Sequence, residues 1–128
     1  MQPPEQLKKT ADALIEGCRN GHEKENLGKL YHPQAVSVEA YPGSEGMGRE
    51  VQGVDAIRAK HDWWESTYEQ LGGEVHGPFL HGDDRFSAVF EMKTKHKETG
   101  EVEEMKETAT YHVDGDGKIT REEFFYAM

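Results

Sequence analysis

Three charged residues in the C-terminal half, Glu107, Arg121 and Glu123, are of the types that acid/base chemistry requires. In an apolar pocket, one carboxyl group can hold a raised pKa and donate a proton, while the other stays ionised beside the arginine and polarises water. Two structural alternatives are equally consistent with the sequence: a charged end of a sheet that is open to water, or an internal Arg–Glu pair. The strands that carry these residues decide between them.

The sequence DGDG near the C-terminus resembles the loop of an EF-hand calcium site. Setting Gly117 at the sixth loop position places Asp114, Asp116 and Glu123 where calcium ligands are required. The first position is then His112, whose imidazole suits zinc or copper better than calcium. The residues after Glu123 are also too few for the helix that must leave the loop. We therefore predict a hairpin turn without a functional calcium site.

Other potential metal ligands do not have the spacing of a metal site. The candidate groups are His76 with His81, His61 with Asp62, and His112 with Asp114 and Asp116. None of them matches an HExxH or a paired CxxC pattern. We expect no metal and no other cofactor.

Length, composition and charge favour a single domain over residues 1–128 that binds neither nucleic acid nor membrane. No apolar run approaches the ~20 residues of a membrane-spanning helix, and the N-terminal sequence lacks the apolar middle of a signal peptide. The formal net charge of -10 repels phosphate backbones. Cys18 is the only cysteine, so a reducing cytoplasm is the expected location.

The first half of the chain has helical patterns around one strand. Glu5–Asn20 is amphipathic and stops at Gly21, which tolerates the left-handed conformation that ends a helix. A second, short helix is predicted over 24–31 and a strand over 35–41. A glycine-rich loop over 42–53 is either a mobile lid or a connection.

A third helix is predicted from Val54, because its apolar residues step by three and four as far as Leu71. His61 and Trp64 lie in this apolar stripe. His61 is either a core residue with a satisfied hydrogen bond or a pocket residue, and no partner is visible at helical spacing.

Four strands are predicted in the second half, over 74–82, 85–97, 101–113 and 118–126. A turn at Thr99-Gly100 would pair the two long strands so that Met92 faces Glu107 and Phe90 faces Ala109. One face of this hairpin is then apolar except for Glu107.

The DGDG turn sets the register of the last strand. A three-residue loop there would pair Tyr111 with Arg121 and Ala109 with Glu123. Glu107, Arg121 and Glu123 would then share the apolar face, with the two carboxylates about 7 Å apart on a diagonal. A slip by one residue would turn these members of the last strand outward.

The order helix, helix, strand, helix and long antiparallel meander resembles the nuclear transport factor 2-like superfamily. The stretch LYHPQAVSVEAYPGSEGMGREVQGVDAIRAKHDWW resembles the SnoaL-like pattern of a strand, a glycine loop and G-x-x-A-I. The ending YHVDGDGKITREEFFY is similar to the final-strand signature of that family. The resemblance implies an α+β fold, with three helices packed on a strongly curved, mostly antiparallel sheet that forms a cone-shaped barrel with a pocket.

The resemblance does not supply a mechanism. The steroid isomerases of the superfamily use a tyrosine on the first helix, an aspartate base ending the first strand and a second acid before the last turn. These positions match Leu14, Ala40 and Ala109, which lack the required groups. Glu39 is adjacent to Ala40, but strand alternation is expected to send it to the opposite face. Limonene-type epoxide hydrolases use an acid–arginine–acid group, which this chain matches in residue type but not in position.

The sequence thus predicts a protein with a pocket for a small, partly apolar molecule, either an enzyme of isomerase, lyase or hydrolase type or a carrier. The expected catalytic residues are Glu107 and Glu123. The expected ligand-binding residues are His61, Trp64, Phe90, Tyr111 and Arg121. The alternative is a non-catalytic ligand-binding or dimeric interaction module of the same fold.

A homodimer is also expected, formed partly through the outer face of the sheet. The residues assigned to that face are Thr108, Thr110, His112, Thr120, Glu122, Phe124 and Tyr126. Exposed aromatic residues are otherwise hard to explain in a chain this polar.

Overall fold

The computed structural model describes residues 4–42 and 48–127. The elements in chain order are α1 (Glu5–Asn20), α2 (Glu23–Lys29), β1 (Tyr31–Val38), β2 (Glu50–Gln52), α3 (Val54–Thr67), β3 (Tyr68–His81), β4 (Arg85–His96), β5 (Val102–Val113) and β6 (Ile119–Phe125). The predicted glycine-rich loop falls partly on 43–47, outside the described residues, and its last part contains the short strand β2.

The strands form one mixed sheet in the order β2-β1-β6-β5-β4-β3. β1 and β6 are parallel, and the other neighbouring pairs are antiparallel. The sheet curls around the helices without closing, so that β2 and β3 remain its edges. This architecture confirms the predicted fold class, with a curled sheet in place of a closed barrel.

The hydrophobic core lies between the helices and the inner face of the sheet. Its largest buried members are Leu7, Leu14, Ile15, Leu27, Tyr31, Ile57, Phe86, Tyr111 and Ile119. The Phe86 and Tyr111 rings stack across β4 and β5, with their centres 4.7 Å apart. This stacking joins the two long strands within the core.

Helix α1 has the predicted bounds, and Gly21 ends it in the left-handed conformation at φ 75°. Helix α2 is shorter than predicted, because Tyr31 already pairs with Ile119 of β6 as the start of β1. Helix α3 also ends early, since Tyr68 is extended and pairs with His96. In both cases, pairing within the sheet overrides the helical pattern of the sequence. No helix among the described residues is long and apolar enough to cross a membrane.

The β4–β5 hairpin keeps the predicted faces but not the predicted register. Phe90 pairs with Glu107, two residues away from the expected pairing. The turn is wider than a two-residue turn, because Gly100 N–H donates to the His96 carbonyl at 2.8 Å. The His96 ring nitrogen Nδ1 also accepts hydrogen bonds from the backbone N–H groups of Glu98 and Thr99. A shift of two residues leaves every side chain on its own face.

The β5–β6 register differs from the prediction by one residue, which has larger consequences. Val113 pairs with Ile119 as expected, but a bulge follows, and His112 then pairs with Arg121. Tyr111 consequently faces Glu122 instead of Arg121. Because a bulge adds one residue to one strand, every later side chain of β6 lies on the face opposite to the predicted one.

The DGDG segment forms the predicted hairpin turn. The Asp114 carboxylate accepts hydrogen bonds from the backbone N–H groups of Asp116 and Lys118, at 3.0 and 2.9 Å. Gly117 has a φ of 79°, which glycine adopts without strain, and its carbonyl accepts a hydrogen bond from the buried Thr10 hydroxyl. The turn is therefore tied to helix α1.

We expect Phe86→Ala to lower the free energy of unfolding by about 3–5 kcal/mol, because it leaves a cavity beside Tyr111. Urea denaturation of the two proteins measures the difference. Val102→Ala, in the same sheet but 49% exposed, is the control and should change stability by no more than about 0.5 kcal/mol. Equal losses in the two variants would contradict this description of the core.

Candidate functional site

A buried carboxylate, Glu122 of β6, is at the centre of a polar network on the inner face of the sheet. The residue is only 1% exposed. It accepts a hydrogen bond from the Tyr31 hydroxyl and another from Ser37 Oγ, the latter at 2.7 Å. The parallel pairing of β1 with β6 produces these contacts, because Ser37 lies directly opposite Glu122. Hydrogen bonds from Tyr31 and Ser37 thus replace the water that would solvate the Glu122 carboxylate at the surface.

Lys60 of α3 connects this network to a second carboxylate. Its ammonium group donates to Ser37 Oγ at 2.6 Å and to Glu39 Oε1 at 2.7 Å. It also lies 5.1 Å from the centre of the Phe124 ring, within the range of a cation–π contact. The Tyr126 hydroxyl donates to the other Glu39 oxygen at 3.2 Å. Glu39 is therefore held from two sides.

The second carboxylate lies where solvent can reach it. The Lys60 side chain is 15% exposed and that of Glu39 25% exposed. Burial raises the pKa of Tyr126 to about 12, and the neighbouring Glu39 charge acts in the same direction. At neutral pH the tyrosine is therefore a neutral hydrogen-bond donor to Glu39.

Glu107 of β5 is the third carboxyl group on the inner face, opposite Phe90. Within residues 4–42 and 48–127, its carboxyl group has no hydrogen-bond or salt-bridge partner. Burial raises its pKa to about 8; the Glu39 and Glu122 charges raise it further, and Lys60 opposes them. Glu107 is therefore mostly protonated at neutral pH, and its carboxyl group can donate a hydrogen bond or a proton.

Two of the predicted ligand-binding residues lie on the same face as Glu107. Phe90 packs against the core, and Tyr111 is buried between the Phe86 ring and the Phe124 ring. Tyr111 is thus a core residue that packs beside the site.

The two predicted residues of α3, His61 and Trp64, make no polar contact with the carboxyl groups among the described residues. The Trp64 ring packs on the Tyr68 ring, with 5.3 Å between their centres, and Tyr68 also contacts His96. His61 is half-buried, and in the described part of the chain neither side chain hydrogen-bonds to Glu107 or Lys60. The helix residue that reaches the carboxylates is Lys60.

The predicted placement of Arg121 and Glu123 on the inner face is wrong. The bulge at the start of β6 puts both on the outer face. There, Arg121 Nε lies 3.3 Å from Glu123 Oε1, and His112 Nε2 lies 3.0 Å from the same oxygen. Arg121 also lies 3.7 Å from a carboxylate oxygen of Glu50. These residues form an ion-pair group on the opposite side of the sheet from Glu107.

The sequence interpretation missed Ser37, Lys60 and Glu122 and placed Glu39 on the wrong face. Ser37 is fully buried, so alternation along the chain brings Glu39 to the same side, while the matching of Ala40 with a catalytic position had suggested the reverse. Helical spacing could have placed Lys60 on the inner side of α3, because Lys60 is about one helical turn after the buried Ile57. Without the bulge, no pattern could place Glu122 inside.

The outer surface of the sheet carries a separate charged cluster. Glu74, His76 and Glu91 each offer one atom that could bind a metal ion, and these three atoms lie within 4.8 Å of one another. His76 Nε2 is 2.8 Å from Glu91, which is also paired with Lys106 at 3.4 Å. These contacts are exposed to solvent, and exposed polar contacts of this kind contribute little to stability.

An open groove of about 410 Å³ lies beside this cluster. It is lined by Gly73, Glu91, Met92, Lys93, Glu104, Met105 and Lys106. None of the carboxylates of the inner network lines this groove.

We expect Glu107→Gln to weaken the pH dependence of stability. Because the Glu107 pKa rises from 4.5 to about 8 on folding, the folded protein binds more protons than the unfolded chain between these values, and the free energy of unfolding falls as pH rises through that window. One group contributes at most about 1.4 kcal/mol per pH unit. Urea denaturation across this window should show a smaller loss in the variant than in the wild type.

The control for this experiment is Glu101→Gln, an exposed residue beside the turn between β4 and β5. It should keep the wild-type pH dependence. The same slope in wild type and Glu107→Gln would show that Glu107 titrates in the folded protein as it does in the unfolded chain.

Comparisons with known proteins agree with this fold. The family model of the SnoaL-like domain matches residues 11–122. No curated protein sequence matches the chain. A structure from Mesorhizobium loti, described as a candidate SnoaL-like polyketide cyclase, is 32% identical and has a TM-score of 0.84; the match covers 94% of this chain and 98% of that one.

Two more distant structures share the fold alone. Rv0760c from Mycobacterium tuberculosis, in complex with estradiol-17β-hemisuccinate, is 16% identical with a TM-score of 0.74, over 98% of this chain and 96% of that one. A Δ5-3-ketosteroid isomerase from Mycobacterium sp. is 19% identical with a TM-score of 0.69, over 96% and 94%. With the family model matching most of its length, the chain belongs to the SnoaL-like domain family.

Proposed function

We propose that this protein binds a small, partly apolar molecule between α3 and the inner face of the sheet and acts on it by isomerase-type acid/base chemistry. The observation that carries this proposal is the position of Glu107. Its carboxyl group lies on the inner face opposite Phe90, without a hydrogen-bond or salt-bridge partner among the described residues. Burial raises its pKa to about 8, which favours the protonated form at neutral pH, and the charges of Glu39 and Lys60 also act on it.

The two partly buried carboxyl groups, Glu107 and Glu39, suit different tasks. Moving a proton within a carbonyl compound requires one group that polarises the oxygen and another that takes up the proton. Protonated Glu107 can donate a hydrogen bond to the ligand oxygen. The Glu39 carboxylate, fixed by Lys60 and Tyr126, can accept and return the proton.

The comparisons support a ligand site of this type without supplying its residues. Rv0760c holds a steroid derivative, and the related Mycobacterium enzyme is named as a steroid isomerase. Leu14, Ala40 and Ala109 occupy the positions that matched the isomerase residues, so those roles are not carried over. The proposed pair, Glu39 and Glu107, comes from the contacts in this structure.

We expect Glu107→Gln to weaken ligand binding at least tenfold, because the glutamine amide keeps the volume but is a weaker hydrogen-bond donor than a carboxyl group and has no acidic proton to give. The probes are estradiol-17β-hemisuccinate and a panel of neutral apolar ketones that includes a Δ5-3-ketosteroid. A thermal-shift screen selects the ligands, calorimetry measures affinity, and the ultraviolet absorbance of a conjugated ketone reports isomerisation.

Glu101→Gln is the control and should bind the selected ligands as the wild type does. Glu39→Gln should bind them but lose turnover. The proposal is wrong if no neutral ketone stabilises the wild type, or if Glu107→Gln binds every selected ligand with unchanged affinity.

The second proposed function, a dimeric interaction module, is favoured by exposed aromatic residues on the outer face. Phe79 and Phe125 are each 52% exposed, and Phe125 lies opposite Thr108. Three of the residues that the sequence assigned to this face lie elsewhere. The register places Glu122, Phe124 and Tyr126 on the inner side. We propose a homodimer through the corrected face, with Phe125 near its centre.

Phe125→Asp should convert this dimer into a monomer, because it places a charge in an apolar contact. Light scattering at micromolar concentration measures the mass. Val102→Asp, at an exposed apolar position near the β4–β5 turn, is the control and should remain dimeric. A monomeric wild type, or a dimeric Phe125→Asp variant, would contradict the proposed interface.

A further inference from the structure

Glu122 is a buried titratable residue that the proposed chemistry does not use. Both of its hydrogen bonds come from β1, one from Tyr31 and one from Ser37. Taking a carboxylate out of water is costly even when it is hydrogen-bonded, and an apolar residue of similar size often stabilises a core better. The contact between Ser37 and Lys60 suggests a role for the Glu122 carboxylate.

The Ser37 hydroxyl links Glu122 to Lys60 with a fixed polarity. An ammonium group has no lone pair, so Lys60 must be the donor in its 2.6 Å contact with Ser37 Oγ. The single Ser37 hydroxyl proton then points to Glu122 Oε2 at 2.7 Å. An ionised carboxylate favours this orientation, because it accepts hydrogen bonds and donates none.

The position of Lys60 matters because it has two possible partners. Glu39 and Glu107 both lie near its ammonium group, but Lys60 bonds to Glu39 and to Ser37. An ammonium group that moved to Glu107 would favour the ionised form of that carboxyl group and remove the hydrogen-bond donor. The network thus determines which carboxylate the lysine neutralises.

We propose that Glu122 is a positioning residue, which acts through Ser37 to hold the Lys60 ammonium on Glu39 and away from Glu107. The inference rests on the proposed function of the site, in which Glu39 accepts the proton and Glu107 donates the hydrogen bond. Glu122 itself is too deeply buried to contact a ligand.

The groups that surround Glu122 are consistent with this role. The titratable side chains that share its electrostatic environment are Cys18 of α1, Glu23 of α2, Tyr31 of β1, Lys60 of α3, and Glu107 and Tyr111 of β5. Burial raises the pKa of Cys18 to about 12 and holds the pKa values of the two tyrosines well above their usual range. The cysteine and the two tyrosines are therefore neutral at neutral pH. The positively charged group that hydrogen bonds connect to Glu122, through Ser37, is Lys60.

Glu122→Gln tests the inference without a ligand. Removing the charge should release Lys60 toward Glu107. The loss of the Glu122 charge and the approach of Lys60 both lower the Glu107 pKa, so we expect the Glu107 titration midpoint to fall by about one pH unit, a tenfold change in its acid constant. Carboxyl NMR measures the midpoint. The Lys60 methylene resonances, displaced by the ring current of Phe124, should move toward their unperturbed positions as the ammonium leaves that ring.

Two further variants separate positioning from stability. Ser37→Ala keeps the buried charge but removes the link. It should displace the Lys60 resonances as Glu122→Gln does and should also lower the Glu107 midpoint, here through Lys60 alone. Tyr31→Phe removes the other hydrogen bond to Glu122 and leaves the link intact. It should lower stability while the Glu107 midpoint and the Lys60 resonances keep their wild-type values.

A folded Ser37→Ala protein with wild-type Lys60 resonances and Glu107 midpoint would overturn the inference, because this variant keeps the Glu122 charge and loses only the link. An effect of Tyr31→Phe on both readouts equal to that of Ser37→Ala would overturn it too, because Ser37 would then not be the route. The NMR readouts need no ligand, so they test the positioning role of Glu122 separately from the proposed function. The binding affinity of Glu107→Gln tests the proposed function.

Discussion

The bulge between β5 and β6 is the constraint on which the candidate site depends. After the Val113–Ile119 pair, one extra residue in β6 reverses the face of every later side chain. Glu122 thereby enters the core, opposite Ser37 of the parallel strand β1, and Arg121 and Glu123 face outward. A regular hairpin would have buried an arginine and a glutamate in place of one carboxylate with two hydroxyl partners.

The inner network, as the described residues form it, has three carboxyl groups and one lysine, which forms a salt bridge with one of them. Glu122 is satisfied by hydroxyl groups, and Glu39 has the salt bridge with Lys60. Glu107 has neither kind of partner among the described residues, so protonation is the least costly state for it. The protein thus holds a carboxyl group of raised pKa, Glu107, near the Glu39 carboxylate that Lys60 binds.

The sequence was sufficient for the fold class and for the inner position of Glu107, because strand alternation survives a register error of two residues. It was insufficient for β6, since the bulge depends on how the Asp114 turn closes and on pairing with β1, a strand distant in sequence. The same long-range pairing takes Tyr31 out of helix α2. Lys60 was missed because helical periodicity ranks apolar residues and gives a long, partly exposed lysine no weight.

The claim that Glu107 is a neutral acid in the folded protein is tested most directly by its own titration. Carbon-13 NMR of the side-chain carboxyl groups, assigned by comparison with Glu107→Gln, gives the midpoint without any ligand. This account predicts a midpoint near 8, well above the ordinary glutamate value of 4.5. A midpoint near 4.5 would show an ionised Glu107 at neutral pH and would contradict the proposed acid/base site.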